Sequence, residues 1–578
     1  MVYFRLTGLL FLLTAHFSAA HKNCPRAKSY TDERYRMLIS WRKTFRYLIP
    51  VLFFVSTLGL SIAVPAGVFV SPDENASGVF SLLFAQEQRL WIDEPFNISL
   101  DGILASRSTI AIGPVVLPVS FLGLPVLYGV VGWMFGPGVI WLMTPIIALL
   151  AVLAWRSLVL HMWEDARLAD MTALALMIHP AFWYYTSRSL MHNVLFVSLL
   201  IFASWFWVAR PLYKHDRHVL LDTLAAGGCL GLALATRGGE VIWVGVALLA
   251  LLVWKRAALS WKQVLTFLLG IVIALLPFAA LQTALFGAPW EVGYTVDEEV
   301  ASGQEQETEE RQNDLSAFDQ WLESSAIGSL VLPFGIHEMN ILRNGFAYGA
   351  LLYPWMTLLA IAGWIILVRD RAWRPWAVVT ALVALWLLIV YGSWSFSDNP
   401  DPNAITIGDS HVRYWLPAFV LSTPFIGYLL RFALKPRSVF RLPAITTAVL
   451  CTALSAHLVF FSPDGVLAAR AQLFVDAQKR ALILEQAGEG SIVIVDYADK
   501  YVFPDRSVVV PLRDERTYAS MPAMVALADV YYFGMTFPQQ DIDYLNDEKL
   551  ALLGLFIEPV AVIGEETLYR IQEVGSKN

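Results

Sequence analysis

Charged residues are scarce in this chain. Asp, Glu, Lys and Arg make up 15% of its 578 residues, whereas hydrophobic residues make up 57%. A soluble protein carries about a quarter charged residues. Apolar runs close to twenty residues long recur along the chain, and each could cross a hydrocarbon core about 30 Å thick. The composition therefore excludes a soluble protein and predicts a polytopic α-helical membrane protein.

The chain also lacks an excess of Lys and Arg over Asp and Glu, and it has few cysteines. The formal net charge is −7, which argues against nucleic acid as a partner. The three cysteines, Cys24, Cys229 and Cys451, lie far apart, and two of them fall in apolar runs. Neither a disulfide framework nor a cysteine metal site is therefore expected.

The N-terminal residues give two conflicting signals. "LTGLLFLLTAHFSAA" has the short apolar core and small final residues of a signal peptide. The segment from 21 to 46 that follows carries eight Lys and Arg against two acids, which favours retention in the cytoplasm. We expect residues 1–46 to be a cytoplasmic segment, with either an uncleaved signal-like run or a true start at Met37.

The apolar runs and the basic loops between them predict a topology. The runs lie at about 47–70, 114–135, 138–158, 172–187, 193–209, 219–236, 240–254, 263–285, 347–368, 376–394, 413–432 and 440–461. Four short basic loops should be cytoplasmic: they contain Arg210, Lys214 and Arg217; Lys255, Arg256 and Lys262; Arg369, Arg371 and Arg374; and Arg431, Lys435, Arg437 and Arg441.

If these loops and the N-terminus are all cytoplasmic, the number of spans between the N-terminus and the first basic loop must be even, and the apolar runs there are one too many. The run 114–135 contains Pro114, Pro118 and Pro125, which interrupt helical hydrogen bonding. We interpret it as juxtamembrane or re-entrant, which leaves about 11 spans, a cytoplasmic N-terminus and an external C-terminus. The alternative is that this run crosses the membrane and that the region 138–187 is miscounted.

Three regions follow from this count. A transmembrane region, 47–462, carries large external loops at 71–137 and 286–346, and the second loop includes an acidic, solvated stretch at 297–314. Residues 463–578 have a different composition. There "SIVIVDY", "SVVVPL", "VYYFG" and "VAVIG" predict strands, while "AARAQLFVDAQKRALILEQA" and "SMPAMVALA" predict helices. A small external α/β domain is expected.

Polar residues suited to chemistry gather on the external side. A partly desolvated carboxylate can accept a proton from an attacking hydroxyl, and nearby cations can hold a phosphate. The candidate residues are Asp73, Glu74, His192, Arg237, Glu240, His337, Glu338, His411, Arg413 and Tyr414. The arrangement suggests acid–base work on a substrate reached from the membrane surface.

Several short motifs resemble, in their order, the GT-C class of integral-membrane glycosyltransferases, particularly the protein O-mannosyltransferase and aminoarabinose-transferase-like group. These motifs are "PDE" at 72–74 with the proline-rich stretch at 114–125, "GLALATRGGE", "ALFGAPWEVGY" and "DSHVRYWLP". The chain departs from the family at His192 and Asn193, where the family has an external Asp.

The resemblance implies a GT-C-like fold and a sugar donor linked to polyprenyl phosphate. It implies transfer, commonly inverting, to an acceptor on the external face, which could be a glycan, a lipid or a protein. Asp73 would be the general base, with Glu74 orienting the acceptor or holding a cation. Arg413, with His411, Tyr414 and Arg237, would bind the donor phosphate. A divalent cation stays open as a cofactor.

Each assignment has a competing interpretation. Asp73 and Glu74 could form a solvated helix terminus, Arg413 could be an interfacial anchor, and Arg237 and Glu240 could simply pair with each other. His192, His337 and Glu338 could be ordinary loop residues. For the whole protein, the alternatives are a lipid-linked-sugar transporter or flippase and a non-catalytic envelope-assembly subunit. A transporter would need paired charges or broken helices near the bilayer midplane.

Overall fold

The structure is a computed structural model that describes residues 47–575, apart from 63, 209–215, 256–259, 297–331, 333–334, 397–403 and 436. The N-terminal segment 1–46 and the acidic stretch 297–314 therefore lie outside the described residues. Most of the predicted external loop 286–346 does so as well.

The first apolar run is not one helix. Helix α1, Tyr47–Thr57, ends well before the run does, and α2, Pro72–Glu87, begins after a stretch of turns. Pro65 and Gly67 lie in that stretch, and Gly67 has a positive φ of 76°, which favours glycine. The run 47–70 was counted as one span, and the structure shows that its helix ends at Thr57, well before Asp73 and Glu74. They begin a second helix.

The first large loop contains a small antiparallel sheet. Strands β1, Ile92–Asp93, β2, Thr109–Ile112, and β3, Val115–Pro118, pair in the order β1-β3-β2. A 3-10 turn, Pro95–Ile98, lies between β1 and β2. Helix α3, Gly123–Phe135, follows. The run 114–135 is thus a strand and a helix of 13 residues, shorter than the roughly 17 that a span requires.

Seven helices follow the first loop. They are α4, Ile140–Trp163, preceded by the 3-10 turn Pro137–Val139; α5, Ala166–Met177; α6, Pro180–Arg188; α7, His192–Val208; α8, Asp216–Thr236; α9, Val241–Lys255, after the 3-10 turn Gly238–Glu240; and α10, Trp261–Phe286.

The run expected at 172–187 is split into α5 and α6. Pro180 opens α6, and His179 before it is extended, with φ −66° and ψ 120°. A residue before proline avoids the helical region, which explains the break. Helix α6 then turns by 116° into α7. The sequence run therefore corresponds to two short helices and a sharp bend.

The second half of the membrane region is also helical. Its helices are α11, Glu338–Phe346, continued by the π-helical Ala347–Leu351; α12, Pro354–Leu367; α13, Arg374–Gly392; α14, Ser410–Tyr414; α15, Leu416–Leu430, continued by the 3-10 turn Arg431–Leu434; and α16, Arg441–Phe461.

Within the described residues, six helical segments are long and apolar enough to cross a membrane, or up to eight if each bent pair counts as one span. The bent pairs are α6 with α7, at 116°, and α11 with α12, at 95°. The chain is thus a multi-pass membrane protein. The number of about 11 spans stays a prediction.

Helices α8 and α10 approach each other through glycines. A Cβ atom on Gly227 would lie 2.0 Å from the Phe267 carbonyl oxygen, and one on Gly270 would lie 2.3 Å from the Leu224 carbonyl oxygen. Both distances are far below van der Waals contact. Small residues allow membrane helices to pack closely in this way, since lipid offers no competing hydrophobic drive.

The C-terminal region forms the α/β domain that the sequence predicts. Its elements are α17, Val466–Gln486; β4, Ile492–Val495; α18, Asp499–Val502; β5, Ser507–Val509; α19, Glu515–Leu527; β6, Val530–Met535; α20, Gln539–Tyr544, with short turns at Leu545–Lys549 and Ala551–Leu553; β7, Leu555–Ile563; and β8, Glu566–Glu573. The sheet order is β5-β4-β6-β8-β7, with β4 parallel to both neighbours and β8 antiparallel to both of its own.

Candidate active site

The N-terminus of α2 sets the direction of both candidate carboxylates. The Ser71 hydroxyl caps the helix by accepting a hydrogen bond from the Glu74 backbone N–H at 3.3 Å, and Pro72 occupies the first helical position. Proline suits this position because its missing N–H would have no helical partner there. Asp73 and Glu74 follow in the first turn, where the helix dipole favours negative charge.

Asp73 is held from two sides. Its Oδ2 accepts a hydrogen bond from Arg413 Nη1 at 2.8 Å, and its Oδ1 accepts one from the Ser108 hydroxyl at 2.8 Å. Burial would raise the pKa of the Asp73 carboxyl, but the charge of Arg413 and the hydrogen bond from Ser108 outweigh burial and hold the pKa below the ordinary 3.8. The side chain is 33% exposed, so a substrate can reach it.

Glu74 points to a different arginine. Its Oε1 accepts a hydrogen bond from Arg188 Nε at 2.7 Å, and its Oε2 accepts one from the Val70 N–H at 3.1 Å. The residue is 3% exposed, which excludes a solvated helix terminus for Glu74. The two consecutive carboxylates are thus directed to separate partners. Glu74 anchors α2 to the end of α6, and Asp73 faces the cleft.

Arg413 lies in the short helix α14. Besides Asp73, its guanidinium contacts the Ser410 hydroxyl at 2.8 Å and the Met191 sulfur at 3.2 Å. The Asn193 side-chain amide donates to the Arg413 carbonyl at 3.1 Å, which fixes the backbone. The Arg413 side chain is 12% exposed. It therefore faces the protein interior rather than anchoring the chain in the lipid headgroups.

A second arginine lies beside the first. Arg237 pairs with Glu240 at 2.7 Å, as the sequence suggested, and donates to the Tyr391 hydroxyl at 3.1 Å. Its guanidinium stands 4.5 Å from the centre of the Tyr414 ring, and Arg413 stands 5.3 Å from the same ring. Tyr414 is therefore flanked by two cations. It also stacks on Tyr391 with ring centres 4.5 Å apart.

The two histidines differ in their relation to this cluster. His192 begins α7, and its Nε2 is 3.1 Å from the Phe121 carbonyl oxygen. His411 is buried. Its Nδ1 is 2.7 Å from Asp409 Oδ1, and its ring stacks on Tyr348. His192 thus belongs to the cleft, while His411 stabilises the base of α14.

His337 and Glu338 open α11, and both are exposed. The His337 backbone N–H donates to the Ser393 hydroxyl at 3.2 Å. Among the bonds formed within the described ranges, none joins either side chain to Asp73 or to the two arginines. The structure therefore does not bring these two candidates into the site.

The carboxylates of the site are each bonded to an arginine. In the part of the chain that the structure describes, no group of three His, Cys, Asp or Glu side chains is placed to hold one. Asp73, Glu74 and Glu240 are each paired with a different arginine.

Two residues of the site were missed from the sequence. Ser108 carries no motif, and its partner Asp73 is 35 positions away. Tyr294 ends the motif "ALFGAPWEVGY" and could have been found there. Its N–H donates to the Val119 carbonyl at 3.2 Å, and its ring meets Phe121 edge-on. Tyr294 is 44% exposed, so a substrate in the cleft can reach its phenol.

Comparison with known proteins identifies the fold. No family model and no curated protein matches the sequence. The structure, however, is similar to that of ArnT from Cupriavidus metallidurans bound to undecaprenyl phosphate. The TM-score is 0.53 at 13% sequence identity, and the match covers 93% of this chain and 98% of that one. The chain has the fold of the GT-C glycosyltransferases.

Two other solved structures are similar with lower scores. The archaeal oligosaccharyltransferase AglB from Archaeoglobus fulgidus, in complex with an inhibitory peptide and a dolichol-phosphate, gives a TM-score of 0.48 at 12% identity, covering 89% of this chain and 71% of that one. The arabinofuranosyltransferase AftD from Mycobacteria gives a TM-score of 0.41 at 12% identity, covering 94% of this chain and 40% of that one.

The GT-C fold brings the sequence motifs together. Asp73 of the first motif bonds to Arg413 of the last, although the two are 340 positions apart. Arg237 of the glycine-rich motif and Tyr294 of the third motif lie at the same cleft, since the charges of Asp73, Arg413 and Arg237 all act on the Tyr294 hydroxyl. The motifs that suggested the class from the sequence therefore surround one site.

Proposed function

We propose that the chain is a membrane glycosyltransferase that moves a sugar from a polyprenyl-phosphate-linked donor to an acceptor on the external face. The observation that supports this is the placement of one accessible carboxylate, Asp73, against a guanidinium, Arg413, at 2.8 Å. Such a pair offers a proton acceptor and an anion-binding group to the same substrate. The GT-C fold agrees with this chemistry.

The donor phosphate would bind at the two arginines. Arg413 and Arg237 flank Tyr414, and both lie in a cleft largely closed to solvent, where charge-assisted hydrogen bonds are strong. Undecaprenyl phosphate is bound in the ArnT structure of the same fold. A phosphate would compete with Asp73 for Arg413. Binding of the donor would therefore release Asp73 Oδ2 and make the carboxylate a better base.

The reaction then needs one bond made and one broken. The acceptor hydroxyl oxygen attacks the anomeric carbon from the face opposite the phosphate, and the bond from that carbon to the phosphate oxygen breaks. The bonding electrons go to the phosphate, where Arg413 and Arg237 stabilise the added charge. Asp73 takes the hydroxyl proton. The configuration at the anomeric carbon is inverted, and polyprenyl phosphate is the leaving group.

The site lies on the side assigned to the exterior. Its groups come from helix ends and loops: the start of α2, the residue after α8 and the short helix α14. We assign this side to the exterior, with a cytoplasmic N-terminus and an external C-terminus. The acceptor would be a glycan, lipid or protein that reaches this face, with membrane lipids as the surrounding partners.

The position of the charges also weighs against a lipid-linked-sugar flippase. Transport through the bilayer requires polar groups near the midplane. Asp73, the proposed base, instead lies at the start of α2, which is not among the described helices that are long and apolar enough to cross a membrane. That arrangement suits a reaction at the membrane surface.

The test is sugar transfer in a single turnover. Asp73→Asn keeps the size of the side chain but removes its basicity, so it should slow transfer by roughly 10²–10⁴-fold, the usual share of a general base. Asp93→Asn is the matched control, because Asp93 is an exposed carboxylate of the same loop paired with Arg89. It should leave the rate unchanged.

Full activity in Asp73→Asn would remove Asp73 from the mechanism. A wild-type protein that binds polyprenyl phosphate but transfers sugar to no glycan, lipid or protein acceptor would instead indicate a non-catalytic assembly subunit.

A further inference from the structure

The C-terminal α/β domain is fastened to the first large loop. Leu100 and Leu104 of that loop are buried in the same hydrophobic cluster as Ile492 and Ile494 of β4. The Glu94 carboxylate also accepts a hydrogen bond from the Ser507 hydroxyl at 2.5 Å. The loop that carries part of the site is thus packed into the core of a domain that begins more than 350 residues later.

One residue of that domain, Asp499, binds the loop with particular strength. It is 0% exposed. Its Oδ1 accepts from Arg107 Nη2 at 2.6 Å and from Nε at 3.0 Å, while its Oδ2 accepts from the Arg107 backbone N–H at 3.0 Å. Bonds to both the guanidinium and the backbone fix the position of residue 107 and the direction in which the chain continues.

The next residue in the chain is Ser108, which donates to Asp73 Oδ1 at 2.8 Å. The short helix α18 and the residue after it also bind α2, the helix that carries Asp73. The Asn75 side-chain amide donates to the Lys500 and Phe503 carbonyls, each at 3.0 Å. Helix α18 therefore fixes two groups: α2, which carries Asp73, and, through Arg107, the Ser108 hydroxyl that donates to Asp73.

We propose that Asp499 is a positioning residue for the reaction: through Arg107 and Ser108 it fixes the direction of the Asp73 carboxylate, and so makes the C-terminal domain part of the active site. This inference rests on the proposed function, in which Asp73 is the base. It assigns a role to a domain whose own residues carry no catalytic motif.

The physical consequence concerns the chemical step rather than donor binding. Ser108 occupies Oδ1, which leaves Oδ2 as the oxygen that can take a proton once the donor has drawn Arg413 away. Loss of the Ser108 bond would let the carboxyl rotate, and small misplacements of a reacting group slow catalysis markedly. Arg413 keeps its contacts with Ser410 and Met191, so the phosphate site should persist.

The ionisation of Asp73 would change as well. The groups that act on it are Arg413 of α14, His192 of α7, the Ser108 hydroxyl and its neighbour Glu74, and the Tyr294 phenol lies in the same cleft. A hydrogen bond donated to the charged carboxylate lowers its pKa. Removal of the Ser108 bond, or of the Arg107–Asp499 contact that holds it, should therefore move the pKa of Asp73 upward.

The experiment compares Asp499→Asn, Ser108→Ala and the double variant in the full-length protein. Each single variant should slow single-turnover transfer on the order of ten- to a hundredfold, while affinity for undecaprenyl phosphate stays within about twofold. The double variant should be no slower than the slower single variant, since both changes break one connection. The acid limb of kcat/KM should move to higher pH in all three.

The control is Asp529→Asn, which breaks an exposed ion pair with Arg570 in the same domain. It should change neither rate nor pH profile. If Asp499→Asn fails to fold, Arg107→Lys replaces it, because Lys keeps the charge but cannot make the forked contact. The inference would be overturned if Asp499→Asn transferred sugar as fast as the control Asp529→Asn. It would also be overturned if the slowing in the double variant were the product of the slowing in Ser108→Ala and in Asp499→Asn.

A measurement without substrate separates this inference from the proposed function. Infrared difference spectra between the wild type and Asp73→Asn, recorded across pH, report the ionisation of Asp73 directly. An upward shift of its pKa in Asp499→Asn supports the connection even if no sugar transfer is found, in which case the proposed function alone fails. An unchanged pKa in a protein that does transfer sugar overturns the connection alone.

Discussion

Asp73 and Arg413 form a pair that a substrate must open. The carboxylate lowers the positive potential that a phosphate would meet, and the guanidinium lowers the basicity that a hydroxyl would meet. Each residue is therefore less reactive in the empty site than it would be alone. A phosphate that binds Arg413 removes both effects, because it takes the place of Asp73 at the guanidinium and leaves the Asp73 carboxylate to accept a proton from the acceptor.

Replacement of Arg413 tests the donor site at this scale. Arg413→Ala should weaken undecaprenyl phosphate binding by about 1.5–3 kcal/mol, the usual value of a hydrogen bond to a charged group. Arg413→Lys should restore binding only in part, because an ammonium cannot make a bidentate contact. Titration of the purified protein measures both. His337→Ala, in an exposed residue outside the site, is the control, and unchanged affinity in both Arg413 variants would contradict the assignment.

The sequence identified residues of the site better than it identified their partners. Asp73, Arg237 and Arg413 stood out because each lies in a short motif near an apolar run. The separation of Asp73 from Glu74 could not be predicted, because their directions depend on Arg413 and Arg188, more than a hundred residues away. Ser108 has no local signal, since its role comes only from tertiary contact with Asp73.

The pair of helices α8 and α10 shows how glycine placement sets helix spacing. Gly270→Ala would put a Cβ atom 2.3 Å from the Leu224 carbonyl oxygen, so the helices must separate. Overpacking of this kind typically costs about 1–3 kcal/mol. Gly228→Ala is the matched control, because its nearest neighbour would be 4.0 Å away. Thermal unfolding in detergent should give a lower midpoint for Gly270→Ala than for the wild type, and an unchanged midpoint for Gly228→Ala. Equal midpoints for the two variants would argue against close glycine packing.

Elements were predictable where periodicity and turn residues agreed. The strands β4, β5 and β6 follow directly from short runs of β-branched or aromatic residues bounded by polar residues. The run 47–70 was predicted as one span because its residues stay apolar beyond Thr57, where the helix ends and turns begin. Hydrophobicity reports burial in lipid or protein, but it does not distinguish a helix from an irregular apolar segment. The break at His179 was visible only as the proline that follows it.

The basic loops predict the orientation of the whole molecule, and reporter fusions can measure it. Reporter fusions after residue 470 should report the exterior, and fusions near 214, 258 and 372 should report the cytoplasm, because Lys and Arg in short loops resist translocation. Paired reporters active on opposite sides of the membrane provide an internal control. A cytoplasmic reading after 470 would place the C-terminal domain, and with it Asp73, on the inner face.

The long separation between Arg107 and Asp499, 392 positions, has a consequence for biosynthesis. At elongation rates of about 5–20 residues per second, α18 emerges roughly 20–80 s after the helix that bears the base. Until then the contact that fixes Arg107 and Ser108 cannot form, so a chain that already contains Arg413 but not yet Asp499 should bind lipid phosphate and transfer sugar only slowly. Truncated products that lack the last hundred residues would keep the membrane helices and the phosphate site but lose Asp499, so proteolysis at the C-terminus should slow sugar transfer while the protein stays inserted in the membrane.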